Sequence, residues 1–169
     1  ATSGTRIVVR VFGGNDFGAA KPGEKEWVRA GYRNGVPMGG DLKPDARKSA
    51  PRLMIAASKD PNSGNLDRIQ VIKGWVDAAG KTHDRIYDVV WSGNRKIGSD
   101  GKLPAVGNSV DVKNASYTNT IGSPELATVW KDPDFDPAVP AFYYVRVLEI
   151  PTPRWSTYDA KALGIDPPK

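Results

Sequence analysis

Cysteine is absent from this 169-residue chain, and histidine occurs once. The first absence excludes disulfides, thiolate metal sites and cysteine nucleophiles. It does not choose a compartment, because cysteine-free chains suit reducing and oxidising surroundings alike. A single histidine, His83, gives poor support for a serine triad or a histidine-rich metal centre. No apolar stretch approaches the ~20 residues that a membrane-spanning helix needs. There is no Gly-x-Ser-x-Gly elbow, no internal repeat of 20–50 residues and no low-complexity tract. Blocks of like charge are missing too. The 24 Lys+Arg exceed the 19 Asp+Glu by five, but the basic residues are dispersed, and no nucleic-acid partner is expected.

What is present reads as an all-β chain of one domain, residues 1–169. Its 18 glycines and 14 prolines suit many turns, and its length lets about 70% of the unfolded surface be buried without cross-links. β-Branched and aromatic runs bounded by turn clusters predict strands at Arg6–Phe12, Arg52–Ser58, Ser109–Lys113, Leu126–Trp130 and Phe142–Ile150. A hairpin joins Arg68–Val76 to Thr82–Trp91, with Gly80 at a turn position that requires positive φ. Alternation puts Ile69, Val71, Trp75 and Ile86 on one face, with Tyr87, Val89 and Trp91 on the other. Arg10 on an otherwise apolar strand points to a face that meets solvent or a partner. Glu24–Arg33 predicts a short helix with Trp27, Ala30 and Tyr32 partly inward, weakened by Gly31. Val36–Leu42 reads as a glycine-hinged loop, and Ser156–Leu163 as a last helical turn. The expected architecture is an immunoglobulin-like β-sandwich with long irregular loops and one or two short helices.

The densest signal is the run from Tyr117 to Trp155, which holds a strong strand, a carboxylate cluster and an aromatic and arginine tail. Asp132, Asp134 and Asp136 alternate as hard-oxygen ligands of a cation loop do. The loop pattern is incomplete, however, and Pro133 and Pro137 favour a rigid turn. No other group of residues forms a catalytic set. His83 shares no strand face with Asp84 or Asp88 and reads as a surface residue. Trp75, Trp91 and Trp130 lie in strands, where core packing is the default. Trp27 and Trp155 lie in irregular segments and are candidates for a substrate or domain contact. So is Arg154, whose planar fork is stiffened by Pro151 and Pro153.

Four stretches carry a family resemblance: Val36–Leu42, Gly64–Trp75, Asp100–Gly107 and Tyr117–Asp159. They resemble the C-terminal part of a bacterial family known only as a domain of unknown function. That family is distantly related to the polymerase-and-histidinol-phosphatase (PHP) metal-dependent hydrolases. The resemblance implies a PHP-like barrel upstream, holding a divalent metal on motifs such as His-x-His, none of which occurs in this chain. The opening Ala1–Arg6 looks like the handover from such a barrel, so the chain reads as a C-terminal fragment that holds no cofactor of its own. The implied function is an accessory domain of a hydrolase of phosphoester type, bracing the barrel and shaping its cleft. The resemblance also leans towards a periplasmic or secreted protein. The alternative is a stand-alone carbohydrate- or ligand-binding module.

Overall fold

The computed structural model describes residues 4–43 and 48–167. Ala1–Ser3 of the expected handover segment, and most of the polar stretch before Ser49, lie outside them. The described residues form seven strands and two helices. They are β1 (Val8–Gly14), α1 (Trp27–Asn34), β2 (Gly35–Pro37), β3 (Arg52–Ser58), β4 (Leu66–Val76), β5 (Thr82–Trp91), β6 (Glu125–Lys131), β7 (Ala141–Glu149) and α2 (Trp155–Leu163). One sheet runs β2-β1-β3-β6 and the other β5-β4-β7, antiparallel throughout. The fold is thus an all-β sandwich. Its four-plus-three division is that of an immunoglobulin constant-type domain, but its strand order is its own. Among the described residues no helix is long and apolar enough to cross a membrane.

Period-two alternation builds the interior. Val11, Leu53, Ile55, Ala57 and Leu126 of the first sheet meet Leu66, Ile69 and Val71 of the second. Tyr143, Val145 and Val147 of β7 close the same core from the edge. Arg10 points outward and is exposed, as its place in β1 predicts. A smaller cluster sits on the opposite face of the first sheet, where Phe12, Phe17 and Met54 are covered by Trp27 and Val28 of α1. The long connection after β1 therefore supplies a helical cover for that sheet.

Gly31 has a purpose that helix propensity hides. A Cβ there would run into the Phe12 ring, so the glycine lets the helix backbone rest on it. Tyr32, predicted partly inward, is instead largely exposed. It touches Phe12 only edge-on, with ring centroids 4.9 Å apart.

Three further expectations are corrected. Ile86 pairs with Ile72 and faces outward, while Tyr87 pairs with Val71 and faces the core. The register is fixed by the turn at Asp77–Lys81, where Gly80 has φ 79°. It shifts once, between Ile69 and Gln70. Ser109–Lys113 forms no strand. The Asp111 carboxylate takes the Asn114 N–H at 3.0 Å and the Asn114 amide at 2.6 Å. That local turn leaves a lone bridge from Asp111 to Ser116, because side-chain bonds of this kind compete with ladder pairing. Val36 and Pro37 of the predicted hinge loop pair with β1 as the short β2.

The seating of α1 is testable. Gly31→Ala gains about 1 kcal/mol of helix propensity but overpacks Phe12 at a typical cost of about 1–3 kcal/mol. A net loss of stability in urea unfolding is expected. A gain would show that the helix does not rest on Phe12.

Candidate functional site

The strongest polar constellation lies between the sheets, at the end of β6. Lys73 comes from the inward series Ile69, Val71, Lys73, Trp75 of β4, and Asp132 follows β6. They are 6% and 2% exposed, respectively. The Lys73 ammonium donates to Asp132 Oδ2 at 2.6 Å and to the Asp134 carbonyl at 2.7 Å. The Tyr143 hydroxyl donates to the same Asp132 oxygen at 2.6 Å, and the Asp134 N–H to Oδ1 at 2.9 Å. Lys73 also lies 5.6 Å from the Trp75 ring centroid, where a desolvated cation gains from the ring face. Burial pushes the Asp132 carboxyl up, but the bonds from Lys73, Tyr143 and Asp134 outweigh it and hold the group below the usual range. Burial first, and then the bond to Asp132, push the Tyr143 phenol well above its ordinary range.

The three alternating carboxylates are not brought together. Asp132 faces inward to Lys73. Asp134 Oδ2 accepts from the Tyr87 hydroxyl at 2.7 Å and pairs with Arg85 at 3.0 Å. Asp136 Oδ1 takes the Ala138 N–H at 2.9 Å and closes a turn. Among the described residues, no group of three or more His, Cys, Asp or Glu is arranged to hold a metal ion. A shallow concavity of about 390 Å³, lined by Ala50, Lys131, Asp132, Pro133 and Phe135, opens beside them. Both Asp132 oxygens already have partners, so this carboxylate does not serve the concavity.

His83 lies half-buried at the surface turn that joins β4 to β5. Its Nε2 lies 2.7 Å from Asp77 Oδ2, and its ring stacks on Trp75 at 5.3 Å. Asp77 also accepts the Ala79 and Lys81 N–H groups, so the histidine closes the β4–β5 turn. Trp27 sits edge-on to Phe12 at 5.8 Å and is partly buried under the first sheet. Arg154 and Trp155 instead follow β7, at the start of α2. Arg154 is exposed, and Trp155 is 77% exposed. Trp91 donates its indole N–H to the Arg95 carbonyl at 2.8 Å. Arg95 in turn reaches Asp67 at 2.6 Å and fastens the loop after β5.

Two features escaped the sequence reading. Phe142 and Tyr144, assigned to a core strand, face outward on β7 and are 63% and 51% exposed. Arg146, two residues on, carries the signal, because an arginine at that alternation marks the solvent side. The other feature is Glu149, whose Oε2 accepts from Ser63 Oγ at 3.0 Å. Its Oε1 is buried with no hydrogen-bond partner among the described residues, and burial pushes the carboxyl above its ordinary value.

The clamp predicts strong coupling. Lys73→Met or Asp132→Asn alone leaves a buried partner unmatched and is expected to cost about 3–5 kcal/mol. The double variant recovers most of that loss in urea unfolding. The folded-state pKa of Asp132 is depressed, so its contribution is complete above the ordinary aspartate value and fades as pH falls through the folded value. Near-additive single losses would show that Lys73 and Asp132 are not coupled.

Glu149 predicts the opposite pH slope. Its raised folded-state pKa means that the protonated form suits the fold, and stability is lost as pH rises through that pKa. Glu149→Gln is therefore expected to raise the melting temperature at pH 7 and to lose that advantage in acid. Equal melting at both pH values would contradict it.

Over residues 1–169 the chain matches the family described as Protein of unknown function (DUF3604). No curated protein and no solved structure matches it.

Proposed function

The chain belongs to that family, and from this premise we propose that it is an accessory β-sandwich domain working beside a PHP-like, metal-dependent hydrolase barrel of the same polypeptide. In this reading the barrel carries the divalent metal and the phosphoester chemistry, in the periplasm or outside the cell. The sandwich braces the barrel and shapes one side of its cleft.

The observation that carries the reading is Trp155. Among the described residues it is the most exposed of the large hydrophobic side chains, at 77%. It stands at the first position of α2, after a segment that Pro151 and Pro153 stiffen. A large aromatic held out of its own core, next to an exposed arginine, has the composition of an interface anchor. The chain's most buried charges support the same reading, because Lys73 and Asp132 are engaged with each other and not with an open cleft.

The test belongs in the full-length polypeptide. Trp155→Ala and Arg154→Ala should each weaken the docking of sandwich on barrel, with Trp155→Ala costing about 2 kcal/mol as a buried anchor does. The expected readouts are a lower thermal midpoint of the barrel and a lower metal-dependent rate on para-nitrophenyl phosphate. Unchanged midpoint and rate in both variants would reject the bracing role. An upstream sequence without His-x-His and further His/Asp ligands would reject the PHP-like parent.

A further inference from the structure

The outer face of the β5-β4-β7 sheet carries an aromatic surface that the fold does not use. Phe142 and Tyr144 stand next to each other on β7, their ring planes 12° apart and their centroids 6.4 Å apart. Ile86, 49% exposed, adds apolar surface on β5, with the buried Ile72 between it and Tyr144. Gly74 is the cross-strand partner of Phe142, and a Cβ there would collide with the Phe142 ring. The ring therefore reaches across β4 instead of standing up into solvent. Glycine in a strand interior weakens the strand unless something must come close, and here Phe142 does.

A polar row borders this surface, one step further along the same three strands. Arg146 donates through Nε and a terminal nitrogen to Gln70 Oε1, at 2.9 and 2.6 Å. Gln70 donates onward to Asp88 Oδ1 at 2.8 Å. Arg68 holds the other Asp88 oxygen at 3.5 Å. The row is fixed by its own bonds, so little side-chain freedom remains to be lost on meeting a ligand.

We propose that this face binds a neutral oligosaccharide, with Phe142 and Tyr144 as the stacking platform and the Asp88–Gln70–Arg146 row as the edge that reads hydroxyl groups. A pyranose ring offers an apolar face of C–H groups and a rim of hydroxyls, which is the same division as this surface. The charges on the face balance, with Asp84 and Asp88 against Arg68 and Arg146, so a polyanion gains nothing from it.

The experiment is calorimetric titration of the 169-residue chain with cellohexaose, xylohexaose, mannohexaose and chitohexaose at millimolar concentration. At least one is expected to bind. Phe142→Ala and Tyr144→Ala should each weaken it by about tenfold while the chain still unfolds cooperatively, because neither side chain belongs to the buried core. Trp155→Ala should bind as the parent does, so the outcome is independent of the bracing role proposed for α2. Absence of binding across the panel, or binding unchanged in both aromatic variants, overturns the proposal.

Discussion

The buried contact between Lys73 and Asp132 is the constraint around which one end of the sandwich is arranged. An ammonium and a carboxylate removed from water each cost several kcal/mol unless their mutual attraction and further hydrogen bonds compensate. Here four hydrogen bonds supply the compensation. Asp132 receives Lys73, Tyr143 and the Asp134 N–H, while Lys73 also reaches the Asp134 carbonyl. The buried residues of the main core are aliphatic, and aliphatic burial is non-directional. The ion pair adds direction. It ties β4 of one sheet to the segment leaving β6 of the other. The turn through Asp132 and Asp134 is the shape that brings a carboxylate, a backbone carbonyl and an N–H to one ammonium.

Much of the fold was legible in the chain. Arg52–Ser58 and Thr82–Trp91 have the bounds that the sequence suggests, the first as an apolar run that ends near the Asp60–Asn65 turn and the second as a run rich in branched and aromatic side chains. What failed was local competition and register. Ser109–Lys113 alternates as a strand does, yet Asp111 closes a turn on Asn114 first. The hairpin was legible as a hairpin, but the face of Ile86 depended on which residue of β4 stood opposite. A shift of one residue moves a side chain to the other side of the sheet. Helix propensity makes Gly31 a weak point because it takes no account of the Phe12 ring beneath it.

The polar sites were less legible, for a physical reason. Spacing along the chain shows which carboxylates lie near one another, and Asp132, Asp134 and Asp136 do. It does not show that Lys73 lies across the core from Asp132, 59 residues earlier. The hint was on the other strand. A lysine in the inward series Ile69, Val71, Trp75 must either leave that face or find a buried anion. The outward aromatics were hidden in the same way, because Phe142–Ile150 is apolar enough to look like core throughout. Only the parity of Arg146 divides it into an inner and an outer row.

These two observations meet in β7. Tyr143 points inward and donates to Asp132, and its sequence neighbours Phe142 and Tyr144 point outward as the paired rings. On β4, Lys73 points inward to the clamp, while Gly74 beside it leaves space for the Phe142 ring. The strand positions that bear the aromatic surface are therefore the positions that the buried ion pair holds from behind. An edge strand with exposed rings would ordinarily be among the more mobile parts of a sandwich, having few contacts on its outer side. Here a charge-assisted hydrogen bond, stronger than a neutral one, anchors the middle residue of the three. A platform that must meet a flat ligand needs such rigidity, because any freedom left in the rings would be lost on binding. The inner clamp and the outer surface are two faces of one short stretch of strand, and the stiffness of the first is what makes the second usable.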